Sequence, residues 1–309
     1  MHRAIEITVP PASTDALISE LEKSLYLISL SIHRGASIKP PGDVIVVHVL
    51  NRDADQVLKL ADTARKQGLV SVTTSDVSSI IDLEHEWIIA NDVDEALWEE
   101  TETTLRHQSR ITSNYLTLMA LGGVIAATGL IAVSSTAQAI SFVAAAIIAP
   151  GFEPLANIPL GLALRRSGVV ALGLKSAAAG YLALILSAAV TFLLLRLLGV
   201  TSVEQFIHNY EVKTLSHIPL REALISGCGA VAGMTMVLSH RRYTIPGALV
   251  ALSLIPAAAM IGVALAAGQP ALMYQGAQRV GLDVLLLIPL GIFVVLLKQA
   301  IVHRREPMV

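Results

Sequence analysis

Cysteine is almost missing from this chain: Cys228 is the only one among 309 residues. A single thiol cannot close an intramolecular disulfide, so the fold needs no oxidising compartment. Cys228 stands between Gly227 and Gly229 in an apolar stretch, where a small buried residue in a Gly-rich helix is expected rather than a nucleophile. Charge is scarce too. Asp, Glu, Lys and Arg make up 15% of the chain, against roughly 25% in an ordinary soluble domain. No basic run interleaves with aromatics, which excludes nucleic acid as a partner. There is no Walker loop, no G-x-S-x-G and no H-E-x-x-H. An enzyme is therefore not expected, and neither is a metal or another cofactor. The first residues lack the apolar core of a signal peptide. The first apolar helix is expected to serve as the insertion signal and to leave the N-terminal part on the side of synthesis.

What is present divides the chain in two. Charges are spread throughout residues 1–110, whereas long stretches beyond Ile111 carry none. In the first part, Ile5, Ile7 and Val9 alternate with Glu6 and Thr8 until Pro10-Pro11, the period of a strand. Ser13 or Thr14 is placed to cap a helix reaching about Lys23. A strand over Leu25 to His33, a loop through Gly35 to Gly42 and a strand over Val44 to Leu50 follow. Asp53 to Lys66 reads as a second helix, and Val70 to Thr74 as a fourth strand. The order β-α-β-β-α-β predicts a ferredoxin-like domain of the α+β class over residues 1–80.

Residues 81–112 are expected to form an acidic linker helix. Asp82 to Glu102 holds nine carboxylates and no Lys or Arg. Asn91 is placed to cap it, with acids in the first turn where the helix dipole favours them. The carboxylates do not follow the spacing of an EF-hand, so a solvated surface is the preferred reading over a cation site.

Residues 113–303 read as an all-α polytopic membrane domain. Apolar helices are expected at about 113–133, 138–163, 169–198, 219–239, 245–267 and 281–302, each long enough to cross ~30 Å of hydrocarbon. Arginine is concentrated on one side: Arg106 and Arg110, the pair Arg165-Arg166, the pair Arg241-Arg242, and Arg304-Arg305. The excess of basic residues in these loops predicts cytoplasmic N and C termini in a bacterial inner (plasma) membrane.

A shift of 106 positions lays Gly123 on Gly229, Pro150 on Pro256 and Leu155-Ala156 on Ile261-Gly262. Two three-helix repeats, 113–198 and 219–302, would then cross in opposite directions, the 3+3 inverted repeat of many secondary transporters. Pro150 and Pro154 fall in the second span and Pro256 in the fifth. Each removes a backbone donor and is expected to interrupt its helix. Such freed backbone is tolerated in a bilayer only where protein or water covers it.

Glu153 lies between two of these prolines. A carboxylate at that depth costs at least ~2.5 kcal/mol, so it must be protonated, paired or wet. It is the first candidate for an ion or proton pathway, with capping of freed amides as the competing role. Asn157 is one turn further on the same face and could bond a substrate or a freed carbonyl. Lys175 in the next span either snorkels to the cytoplasmic face or pairs with Glu153. Asp283 is placed at the start of the sixth span, at the interface.

Two motifs carry a resemblance. Ala144 to Ala156, with Gly161 to Leu164, is similar to the "IGAMLIAPLMGPI…GLALG" core of the uncharacterised membrane family named domain of unknown function 389. Ile245 to Gly262 is similar to that family's "VGVAIAAALLPPLAVAG". Glu153 stands where the family usually has Gly, and Ala257 where it has a second Pro. The resemblance implies an architecture and no biochemical activity. From the residues themselves, a secondary transporter or permease for a small solute or ion is expected, seated in the lipid bilayer as a homo-oligomer. A membrane-anchored sensor or regulatory scaffold is the alternative.

Overall fold

The computed structural model describes residues 2–215, 220–239 and 248–301. Arg241-Arg242, Arg304-Arg305 and the Ile245 to Gly247 start of the second motif lie outside them. The chain packs as two units, with the boundary in sequence between Glu100 and Thr101.

The first unit opens with β1 (His2–Val9), α1 (Pro11–Leu21), β2 (Leu27–Ile38), β3 (Pro41–Leu50), α2 (Asn51–Ala64) and β4 (Ser71–Val77). The four strands form one sheet in the order β2-β3-β1-β4, antiparallel at every pairing. Ile5, Ile7 and Val9 on β1 and Ile45, Val47 and Val49 on β3 point to one face. Leu17 and Leu21 of α1 and Val57, Leu58 and Ala61 of α2 cover that face. Each of these side chains, once buried, contributes about 1.5–3 kcal/mol.

Two local expectations are corrected. The expected loop at Gly35 to Gly42 is ladder: β2 and β3 pair as far as Ile38↔Pro41, with a bulge between His33 and Ser37. Gly35 supplies the positive φ of 63° that this bulge uses. Helix α1 starts at Pro11, two residues before the expected cap. Proline has no amide hydrogen to leave unbonded there. Thr14 instead turns inward, and its hydroxyl donates to Asp43 Oδ2 at 2.8 Å. The Gly35 amide donates to Asp43 Oδ1 at 2.7 Å. These two bonds hold the Asp43 carboxyl below the usual carboxylate range.

The acidic segment is not one helix. It forms α3 (Glu86–Ala90), an extended stretch and α4 (Trp98–Gln108). Asn91 closes α3 rather than opening a helix. The segment is not simply solvated either. Asp92 accepts from the amides of Asn51 at 2.7 Å and Arg52 at 3.3 Å, capping α2 from forty residues away. Arg3, fully buried, donates to Asn51 and Asp76 and to Glu100. Local sequence placed these acids on a helix surface, whereas a buried guanidinium and an uncapped helix end draw them in.

The second unit holds the apolar helices: α5 (Ser113–Ile131), α6 (Ser135–Ile148), α7 (Phe152–Ala163), α8 (Ser167–Leu197), the short α9 (Val203–His208) and α10 (Tyr210–Leu215), then α11 (Leu220–Leu238), α12 (Ala248–Ala267) and α13 (Pro270–Ile301). Among the described residues α5, α8 and α13 are each long and apolar enough to cross a membrane. Helices α6 and α7 qualify together as a fourth span, bent by 53°. Exposure is reversed relative to a soluble protein. Helix α8 buries Gly173, Ser176, Ala177 and Gly180 and exposes Leu174, Leu182, Leu186 and Val190. Small residues inward and large apolar residues outward is the pattern of helices packed in lipid. The apolar helices thus point to a membrane protein.

Candidate functional site

The two proline segments fold differently. Between α6 and α7 the chain leaves the helix over three residues. Ala149, the residue before Pro150, is extended at φ −83° and ψ 118°, as proline sterics demand of its predecessor. Helix α7 restarts at Phe152. Pro154 is its third residue, where an amide hydrogen would have no intrahelical acceptor, so its absence costs nothing there. The Tyr181 hydroxyl of α8 donates to the Gly151 carbonyl at 3.3 Å and so satisfies backbone at the break.

Pro256, expected to interrupt its helix, does not. Helix α12 runs unbroken through it. One missing bond does not undo a helix whose flanking residues, Leu254, Ile255, Ala257 and Ala258, are all fully buried. Opening it there would strand further backbone groups in an apolar core.

Glu153 sits in the first turn of α7, where the helix dipole favours a carboxylate. Its Oε2 is shut off from solvent and has no hydrogen-bonding partner among the described residues. A small cavity of about 70 Å³ adjoins it, lined by residues 146–150, Phe152 and Ala251 of α12. Glu153, Pro150 and the start of α12 therefore meet at one place.

Asn157 and Lys175 do not line this cavity. Asn157 is fully buried and turns its amide toward α4, donating to Ser109 Oγ at 2.6 Å and to the Leu105 carbonyl at 3.2 Å. It also donates to the Glu153 carbonyl at 3.2 Å. Ser176 of α8 donates to the Ser109 carbonyl, and Tyr115 of α5 donates to the Ser176 carbonyl at 2.8 Å. Asn157 is thus a fastening between α4 and α7. Lys175 is exposed, and no ion pair joins it to Glu153.

A second polar cluster is one that sequence reasoning did not assemble. Helix α13 begins at Pro270, eleven residues earlier than its hydropathy suggested, so Arg279 and Asp283 lie inside it. Their side chains are 2% and 0% exposed, and Arg279 Nε is 3.4 Å from Asp283 Oδ2. Arg279 also reaches Ser226 Oγ of α11 at 3.2 Å and Glu222 Oε2 at 3.7 Å. Ser253 of α12 donates to Asp283 Oδ2 at 2.7 Å. The available signal was the i, i+4 spacing of Arg279 and Asp283, which marks one helix face but not its burial. Among the described residues no three His, Cys, Asp or Glu side chains gather as a metal site.

Residues 146–289 match the family model of the domain of unknown function DUF389. This stretch holds the break, Glu153 and the Arg279–Asp283 pair, and ends inside α13. No curated protein and no solved structure matches the chain.

Proposed function

We propose that this chain, whose residues 146–289 carry the domain just named, is a secondary transporter or permease for a small solute or ion. The observation that carries the reading is Glu153: a carboxylate at a helix break inside an apolar span, with one oxygen unpartnered beside a cavity. An intramembrane ionisable group of this kind is costly and marks a pathway.

In this reading the chain crosses six times, through α5, the bent pair α6–α7, α8, α11, α12 and α13, as a 3+3 inverted repeat; the length and apolar character of α5, the bent pair, α8 and α13 support it. Close helix approaches recur between the halves. Gly173 of α8 lies against Pro154 and Ile158 of α7, and Gly276 of α13 lies against Ala257 and Ile261 of α12. Each residue of the second trio follows its counterpart by 103 positions, a register three residues short of the 106 that lays Pro150 on Pro256. Gly262 of α12 meets the α8 backbone at Ile185 and Ala189, while Gly291 of α13 meets Pro159 of α7. The same shift carries Pro159 onto Gly262, and Ala188 onto Gly291. Such reciprocal contacts are what a two-fold relation between halves produces. In this reading the arginine-rich loops place both termini in the cytoplasm of an inner-membrane protein. The strand order of the first unit supports a ferredoxin-like regulatory domain. The protein works as a homo-oligomer, with the bilayer and the solute as its other partners.

The test is flux into proteoliposomes over a broad solute panel. Glu153→Gln should slow uptake at least ~10-fold, about 1.4 kcal/mol in the barrier. A panel without flux or binding removes the transporter reading. The alternative, a membrane-anchored sensor, is favoured by the way Asp92 and Glu100 tie the acidic segment to Arg3, Asn51 and Arg52. Deleting residues 1–80 separates the two. Unregulated flux would make the first unit a controller, and a lost phenotype with no flux in any form would favour sensing.

A further inference from the structure

We propose that the cleft between α4 and the turn joining α7 to α8 binds a phosphate ester carrying hydroxyl groups. The arginines of the turn and the first amides of α8 hold the phosphate, and Glu102 takes the hydroxyls. The cleft measures about 440 Å³, the size of a small-ligand site. Glu102 and Arg106 of α4 line one side, and Arg165, Arg166, Ser167 and Gly168 the other. All six belong to the second unit. The two sides are tied together: Asn157 of α7 donates to the Leu105 carbonyl and to Ser109, and Ser176 of α8 donates to the Ser109 carbonyl.

The phosphate end follows from the backbone. Helix α7 closes with the Arg166 amide donating to the Gly161 carbonyl at 2.7 Å and the Arg165 amide to the Leu162 carbonyl at 3.3 Å. The left-handed residue of such a turn is usually glycine, and here it is Arg165, at φ 55°. Helix α8 then begins at Ser167, and its cap residue, Arg166, lends no side chain to the first amides. The Ser167 and Gly168 amides therefore have no acceptor within the helix. The start of a 31-residue helix beside three guanidiniums suits a phosphate by hydrogen bonding, dipole and charge together.

Glu102 is an independent sign of a ligand. It is 3% exposed, and neither of its carboxylate oxygens accepts a hydrogen bond among the described residues. The guanidiniums of Arg106 and Arg166 stand at 3.6 and 3.7 Å, near enough to balance its charge and too far to donate. A buried carboxylate without donors is costly, and a ligand that brings them relieves the cost. Hydroxyls suit the place better than an ammonium, because three guanidiniums repel a further cation. A bare anion would leave Glu102 without donors and repel it. Phosphate and hydroxyls on one ligand answer both ends of the cleft. Two sources carry that chemistry: phosphatidylglycerol, within reach of a helix long and apolar enough to cross a bilayer, and a soluble glycerol phosphate.

The experiment is equilibrium binding to the full chain in detergent, read by calorimetry. The probes are short-chain phosphatidylglycerol, short-chain phosphatidylmethanol (equal charge, no hydroxyl), glycerol 1-phosphate and inorganic phosphate. Phosphatidylglycerol or glycerol 1-phosphate should bind at least ~10-fold tighter than the matching probe without hydroxyls. The tighter of these two identifies the source as the bilayer or the aqueous phase. Arg165→Gln should weaken that binding ~10-fold. Arg196→Gln, in the last turn of α8, should leave it unchanged. Glu102→Met removes the acceptor and should bring the probes with and without hydroxyls within ~2-fold of each other. No binding, equal binding of all four probes, or equal losses in Arg196→Gln and Arg165→Gln would each overturn the site. A hydroxyl preference that survives Glu102→Met would overturn the assignment of Glu102. If that variant fails to fold, the preference of the parent protein and its loss in Arg165→Gln, at an exposed position, decide. The readout does not depend on flux, so it stands or falls apart from the transporter reading.

Discussion

Two proline-bearing segments of the apolar unit, the α6–α7 break and α12, solve the same problem in opposite ways. At Pro150 the helix opens, and a tyrosine from α8 covers the exposed backbone. At Pro256 the helix stays closed, and polar chemistry comes from α13 as the Arg279–Asp283 pair. What separates them is the company each proline keeps. Pro150 is followed by Gly151 and, four residues on, by Pro154. Pro256 stands alone among fully buried aliphatic residues. A single missing hydrogen bond is tolerated, whereas two prolines and a glycine within five residues leave too little helix to restore.

The largest expected effect tests whether α12 is held closed by packing. A Cβ at Gly262 would lie 2.1 Å from the Ile185 carbonyl oxygen, a contact of backbone with backbone. Gly262→Leu should therefore cost at least ~3 kcal/mol or prevent folding, read as thermal unfolding of the purified protein in detergent. A variant as stable as the parent would show that α8 and α12 are not packed this closely.

Next comes the sign of the proline effect. Pro256→Ala returns an amide hydrogen to the Leu252 carbonyl and should stabilise by about 1–3 kcal/mol in the same unfolding measurement. Pro154→Ala restores nothing, because that amide lies in the first turn, and loses the pre-set φ. It should destabilise by about 0.5–1 kcal/mol. Equal signs for the two variants would erase the distinction between a break and a closed helix. The smallest effect is Tyr181→Phe, which removes one hydroxyl donor from Gly151 at a cost of about 1 kcal/mol. Hydrogen exchange at residues 151–155 should quicken in that variant and leave α12 unchanged.

Much of this architecture is legible in sequence, because its signals are local. Alternation over Ile5 to Val9 needs only neighbouring residues to mark a strand, and the run Pro150-Gly151-x-x-Pro154 carries the break in its own sterics. Glu153 could be singled out for the same reason, being a charge with no company in an apolar run. Asn157 and Lys175 were chosen by nearness to it, and nearness along a helix does not say which neighbour the face meets. Asn157 faces Ser109, 48 positions away.

By itself, then, the sequence determined that a sheet-forming part precedes long apolar helices, and that the helix carrying Pro150 is interrupted. Tertiary structure alone decided three further matters. The acidic segment folds back because Arg3 is buried and α2 lacks a cap of its own. Helix α12 remains closed over Pro256 because the residues flanking it, Leu254, Ile255, Ala257 and Ala258, are fully buried and apolar. Arg279 and Asp283 are internal because their partners, Ser226 and Ser253, stand 53 and 30 positions away on other helices. Hydropathy sums what a residue is worth in isolation. The cost of burying a charge depends on what it meets there, and only the packed fold brings those groups together.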